Sequence, residues 1–296
     1  MSSHWLKTAH LPASEYHNGS LSSPFPHYGL YKIAGRGAYD GMTTLSLILY
    51  FFVSIAAGII NTIAGGGSFL TFPSLLLTGL DARAANVTST IALFPMQLST
   101  GYAGRSDAGG TEHVRFRHLF LISLAGGAIG AILLLLTPSA FFGKMVPWFV
   151  LFATTVFAWS AFFKKPYKEG MPQHHFQKAG TIISQFFIGI YGGYFGAGVG
   201  ILMLAALMRS TISIRKAGAT KNILAAAINT SAVLIFLFSK DIGWIQIGIG
   251  MPASVAGGYI GTKMLNKVND RKLRIFVVVW GAFLAFAMFI RSKYYP

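Results

Sequence analysis

The chain has no cysteine among its 296 residues. Disulfides, thiol nucleophiles and cysteine-held metals are therefore excluded, and nothing follows about redox compartment. Acids are nearly as scarce: eight Asp and Glu stand against 24 Lys and Arg, for a formal net charge of +16. They are Glu15, Asp40, Asp81, Asp107, Glu112, Glu169, Asp241 and Asp270. Each falls in the N-terminal stretch or between apolar runs. No carboxylate pair is placed mid-run for acid–base catalysis, cation binding or a proton relay. GAGVG at 196–200 is no dinucleotide fingerprint, because the strand, the final spacing and the downstream acid are missing. His113, His118, His174 and His175 fall in loops or at helix mouths. Neither an enzyme nor a bound cofactor or metal is expected.

Charge as a whole is short. Only 11% of residues are charged, against about 25% in a soluble domain. Hydrophobic residues make up 53%, and runs such as 116–137, 145–163 and 275–290 approach the ~20 residues that cross a hydrocarbon core. An all-α, polytopic membrane protein follows, with the lipid bilayer as its main partner. The basic excess lies between the runs: Arg105, Arg115 and Arg117; Lys164, Lys165, Lys168 and Lys178; Arg209, Arg215 and Lys216; Lys263, Lys267, Arg271, Lys272 and Arg274. That is the distribution of topology determinants, which favour the cytoplasmic face, and not of a nucleic-acid-binding patch. Residues 1–42 lack the apolar core of a signal peptide and read as a partly ordered tail. Their histidines (His4, His10, His17, His27) read as solvated.

Segments recur. SLAGGAIG at 123–130 returns as SVAGGYIG at 254–261, RAANVTST at 83–90 pairs with RKAGATKN at 215–222, and GIINTIAGGG at 58–67 pairs with GIYGGYFGAG at 189–198. Offsets of 131 or 132 throughout mean a duplication. Each half holds five apolar elements: 43–63, 68–80, 84–104, 116–137 and 145–163, then 179–195, 199–208, 217–238, 244–264 and 275–290. The expected domains are a first transmembrane repeat at 43–163, a cytoplasmic linker at 164–178 and a second repeat at 179–296. Five is odd and the basic loops share one side, so the repeats are expected to be inverted. In each, the second element is too short to span the bilayer.

Inverted repeats with glycine-interrupted segments at matching positions point to a secondary transporter with its site between the halves. Gly65, Gly66 and Gly67, with Gly196 and Gly198, would end helices there, and exposed N–H groups at such ends attract anions. Asn61, Thr62 and Ser68 add short polar side chains. Close helix packing is the competing explanation for glycine. It suits Gly126-x-x-x-Gly130 and Gly257-x-x-x-Gly261 better than three adjacent glycines. A second polar set is Thr88, Ser89 and Thr90, matched by Thr220, Lys221 and Asn222, with Gln97 and Asn229 at equivalent positions. These either bind a ligand or bond between helices. Lys221 either faces the site or snorkels to the surface. Arg83 and Arg215 sit at helix mouths, where steering or topology is their expected role.

NTIAGGGSFLTFPSLLLTGLDARAANVTST at 61–90, GGYFGAGVGILMLAAL at 192–207 and the following RKAGATKN resemble the sulfite exporter TauE/SafE family, also called the toluenesulfonate uptake permeases. The resemblance runs from about 45 to 290. Where such members commonly carry Asn in the third helix, this chain has Ser89. The resemblance implies a transporter of sulfite, sulfonates or related organosulfur anions. The expectation is thus a multi-pass carrier of small anions in a bacterial inner membrane, exporting them, with homo-oligomerisation open. A non-transporting scaffold and an uptake permease for a sulfonate or other organic anion are the alternatives.

Overall fold

The computed structural model describes residues 36–162, 178–207, 214–264 and 270–294. The tail histidines, most of the 164–178 linker with His174 and His175, and Arg209 and Lys267 lie outside them. Ten helices form among the described residues: α1 (Arg36–Ala64), α2 (Ser68–Leu77), α3 (Ala82–Ala103), α4 (Phe116–Leu136), α5 (Ser139–Phe162), α6 (Lys178–Tyr194), α7 (Val199–Leu207), α8 (Ile214–Phe236), α9 (Trp244–Met264) and α10 (Asp270–Tyr294). Three helix starts differ from expectation: α5 begins at Ser139 and not at 145, and two other helices take charged residues into their first turns. Asp40 lies in the first turns of α1, and Asp270 with Arg271, Lys272 and Arg274 opens α10 instead of a loop. All remain in the first turns of their helices.

Windows in α1, α4, α5 and α8 are long and apolar enough to cross a membrane. Large apolar side chains such as Phe52, Leu121, Trp148, Phe187 and Phe286 stand exposed around the outside, as lipid-facing residues must. The protein is a multi-pass membrane protein. α2 and α7, at ten and nine residues, reach only about 14–15 Å, half of the ~30 Å core.

Close contacts give the helix directions. α3 and α8 are antiparallel: Gly101 lies against Asn222 and Ala226, Gly104 against Ala219, and Gln97 bonds Asn229. α4 and α6 are parallel: Gln185 donates to Ser123 (2.8 Å), and Gly126 and Gly130 press on Phe186 and Ile190. α1 and α9 are parallel in the same way, with Gly257 on Ile55 and Gly261 on Ile59. These are the α4–α6 contacts with 131 added to one partner and subtracted from the other. α5 and α10 are antiparallel, Thr154 beside Gly281 and Trp148 edge-on to Phe289. Without a hydrophobic drive between helices in lipid, backbone approach of this kind supplies the packing.

One face of the bundle is tied at Arg83, at the start of α3. Its guanidinium pairs with Asp241 (2.8 Å) beyond α8 and donates to the carbonyls of Leu135 and Thr137 at the end of α4. Arg83 is therefore a structural clamp. Asp81 caps α3 through the Arg83 and Ala84 amides. The opposite, basic face carries Arg105, Arg115, Arg117, Lys216 and Lys263 at or near helix ends.

A Cβ on Gly130 would collide with the Ile190 carbonyl and lie 2.7 Å from the Tyr194 nitrogen, whereas one on Gly248 would meet nothing within 4 Å. Gly130→Leu is expected to destabilise by about 3 kcal/mol or to abolish folding. Gly248→Ala should be neutral or stabilising by up to about 1 kcal/mol. Thermal unfolding in detergent checks both.

Candidate functional site

Two helix breaks build the site. α1 closes on Gly65, whose amide bonds the carbonyls of Ile60 (3.3 Å) and Asn61 (2.9 Å); α6 closes on Gly196, whose amide bonds Tyr191 (3.2 Å). Gly65 and Gly196 take φ of +84° and +77°, the left-handed region open to glycine. α2 then starts with Leu70 and Thr71 bonding the Gly67 carbonyl, as α7 starts with Ile201 and Leu202 bonding that of Gly198. Both chains reverse direction. α2 runs back to the Arg83 face, where Thr78 accepts from Gln246 in the first turn of α9 (3.3 Å). α7 returns to the basic face, its Leu207 packing in one cluster with Val114 and Leu119.

The tips meet. A Cβ on Gly65 would lie 3.5 Å from the Gly200 Cα and 3.5 Å from the Lys221 Nζ. Beside them is a pocket lined by Asn61, Gly65, Ser68, Thr90, Gln97, Thr100, Gly196, Val199, Gly200, Lys221, Asn222, Ala225 and Asn229. Its free space is about 30 Å³ for the centres of water-sized molecules, two to three times what one water needs (about 10–15 Å³). A compact ion fits; a ring does not without movement.

Donors dominate. Lys221 is only 7% exposed and does not snorkel. Among the described residues no carboxylate pairs with it. Asn229 gives its Nδ2 to the Gln97 Oε1, leaving the Gln97 amide nitrogen free to donate. The amides of Ser68 and Gly200, at the starts of α2 and α7, have no acceptor among the described residues. Thr90 and Thr100 spend their protons on the Asn86 and Gln97 carbonyls. No group of three metal-ligating side chains forms among the described residues.

Nine sequence candidates therefore meet at the pocket: Asn61, Gly65, Ser68, Thr90, Gln97, Gly196, Lys221, Asn222 and Asn229. Seven do not line it. Thr62 bonds the Gly58 carbonyl (2.9 Å). Gly66 offers its carbonyl to Phe69, and the Gly67 amide takes the Asn61 Oδ1 (3.2 Å). Gly198 sits against Ala153 and Phe69. Thr88 accepts from the Gly243 amide (3.0 Å), Thr220 bonds both the amide and the carbonyl of Gly109 (3.0 Å each), and Ser89 bonds Thr71 (2.6 Å). The amides of Gly65, Gly67 and Gly196, expected to face a ligand, are spent in closing or capping helices. Those of Ser68 and Gly200, two residues that line the pocket, are left without such a bond among the described residues. Thr100, Val199, Gly200 and Ala225 escaped the sequence reading, although Thr100 lies three residues beyond Gln97 and Ala225 four beyond Lys221, on one helical face.

A multi-pass helical membrane protein with broken helices meeting at a buried polar pocket has the architecture of a membrane transporter. The chain belongs to the sulfite exporter TauE/SafE family, whose profile matches residues 50–288. A probable membrane transporter protein of Haemophilus influenzae is 28% identical over 79% of this chain and 90% of its own. One from a Sinorhizobium species, ORF9, is 27% identical over 81% and 90%. The probable membrane transporter protein YfcA of Escherichia coli K12 is 23% identical over 82% and 90%. No solved structure matches the chain.

Gly65→Ala, Gly196→Ala and Gly79→Ala (φ +94° in open space) should each lose about 1–2 kcal/mol from left-handed strain alone. Thermal unfolding measures this, and a Gly65→Ala protein as stable as the parent would contradict the described tip.

Proposed function

We propose that this chain carries a small sulfur-containing anion, with sulfite the leading candidate, through the pocket between the two breaks. Lys221 is the observation that carries the proposal: a buried cation with no carboxylate partner among the described residues, in a pocket whose free groups mainly donate. An isolated buried charge is unfavourable, and a bound anion is its natural counter-ion. The substrate's oxygens would take the Ser68 and Gly200 amides, the Ser68 hydroxyl and the amide groups of Asn222 and Gln97. Asn61, Thr90, Thr100 and Asn229 complete the wall. The family's name supports sulfite, and the confined space favours a compact oxyanion over a bulky sulfonate.

The halves 43–163 and 179–296 are proposed to be inverted repeats. The exchanged α4–α6 and α1–α9 contacts support this, as does the matched geometry of the two breaks. With the basic face in the cytoplasm of a bacterium, an inside-negative potential contributes ~2.3 kcal/mol per charge per 100 mV, roughly a 50-fold bias toward efflux of a monoanion. Export across the inner membrane then needs no coupling ion.

Lys221→Met tests the proposal. Removing an unpaired buried charge should leave the apoprotein as stable or more so, while sulfite flux into proteoliposomes falls at least ~10-fold and sulfite no longer raises the melting temperature. Unchanged flux would remove Lys221 from the site. No thermal response of the parent protein to sulfite or any sulfonate would favour a scaffold.

A further inference from the structure

The pocket straddles the Gln97–Asn229 pair but reaches further toward the basic face than toward the Arg83 face. Each wall residue has a counterpart 131 or 132 positions away, and for five of them the counterpart lies outside the pocket. Lys221 answers to Ser89, Ala225 to Leu93, Thr100 to Ala232, Gly200 to Phe69 and Asn61 to Gly192. On the pocket side these residues surround free space. Their counterparts are packed shut: Ser89, Leu93, Ala232 and Phe69 are each at most 3% exposed, and a Cβ on Gly192 would lie 2.7 Å from Val199 and 2.9 Å from Ile228. The same set of positions is open on one side and closed on the other.

One polar contact joins α2 and α3 on the closed side. The hydroxyls of Thr71 and Ser89, both essentially unexposed, lie 2.6 Å apart. α2 is the segment that returns from the break to the Arg83 face, so this bond holds the wall between pocket and that face. Across the repeat, Leu202 and Lys221 occupy the equivalent positions. No such bond can form there, and Lys221 reaches Gly65 instead.

We infer that the Thr71–Ser89 pair is the closed gate between the pocket and the Arg83 face, and that Ser89 joins the pathway when this gate opens. The inference rests on the transport reading above. It assigns a place to Ser89, which the sequence marks as a site residue and the structure holds away from the pocket. On opening, the two sides exchange roles: α2 parts from α3, α7 closes on α8, and the space moves from beside Lys221 to beside Ser89. An anion on that side meets a hydroxyl in place of an ammonium and is held more weakly.

The absence of cysteine makes the test direct. Ala225→Cys reports the open wall and Ala232→Cys the closed one, and a charged, membrane-impermeant methanethiosulfonate is applied from each side of proteoliposomes. The expected result is labelling of Ala225→Cys from the basic face and little labelling of Ala232→Cys. Adding Thr71→Val should speed labelling of Ala232→Cys from the Arg83 face at least about five-fold, the loss of one buried hydrogen bond, and slow that of Ala225→Cys. Ser89→Ala should act alike and Thr71→Ser should restore the parent pattern. Unaltered labelling in both Thr71→Val and Ser89→Ala, or a rise at both reporters from one face, overturns the gate. Sides that exchange accessibility in a protein carrying no sulfite would leave the gate standing and remove the substrate. Sulfite flux with unaltered labelling would do the reverse.

Discussion

Backbone hydrogen bonding in hydrocarbon is the constraint on which the rest of this structure depends. A chain that breaks a helix inside a membrane must satisfy the freed groups within the protein or expose them to a polar cavity. Here both solutions appear at each break. The Gly65 and Gly196 amides fold back on the helices they end, Asn61 caps Gly67, and what is left over faces the pocket at Ser68 and Gly200. The left-handed tips, the short returning helices and the small residues around them follow from that requirement. So does the donor-rich character of the pocket, since the starts of α2 and α7 contribute N–H groups and not carbonyls.

Lys221 gains meaning from this setting. Among the described residues, carboxylates lie near helix ends and in loops, where Asp81 and Asp241 serve capping and the Arg83 clamp. A lysine one or two turns inside α8, against the first break, therefore has no carboxylate partner among the described residues. The proposed substrate charge is the complement of a deficit built into the sequence.

Much of the architecture was legible because membrane helices leave blunt signals. Run length and glycine placement located ten elements, although α1, α5 and α10 each start five to seven residues earlier than the apolar run, and Gly126, Gly130, Gly257 and Gly261 pack backbone to backbone as their spacing suggests. The polar helices were harder. Thr88, Ser89 and Thr90 are consecutive, so their side chains point in three directions, and only Thr90 reaches the pocket. The same rotation sends Thr220 to the Gly109 loop and its neighbours Lys221 and Asn222 to the site. Gly200 carries no polar side chain to announce it; its contribution is an amide, visible only once α7 is placed against Gly65.

The central claim is that a net negative charge moves through this pocket beside a fixed cation and without a coupling ion. Sulfite flux from proteoliposomes of the parent protein, measured at potentials of both signs with no sodium or proton gradient, tests it most directly. Efflux should be accelerated by an inside-negative potential and slowed by the opposite one. Flux that ignores the sign of the potential, or that requires an imposed cation gradient, would contradict it.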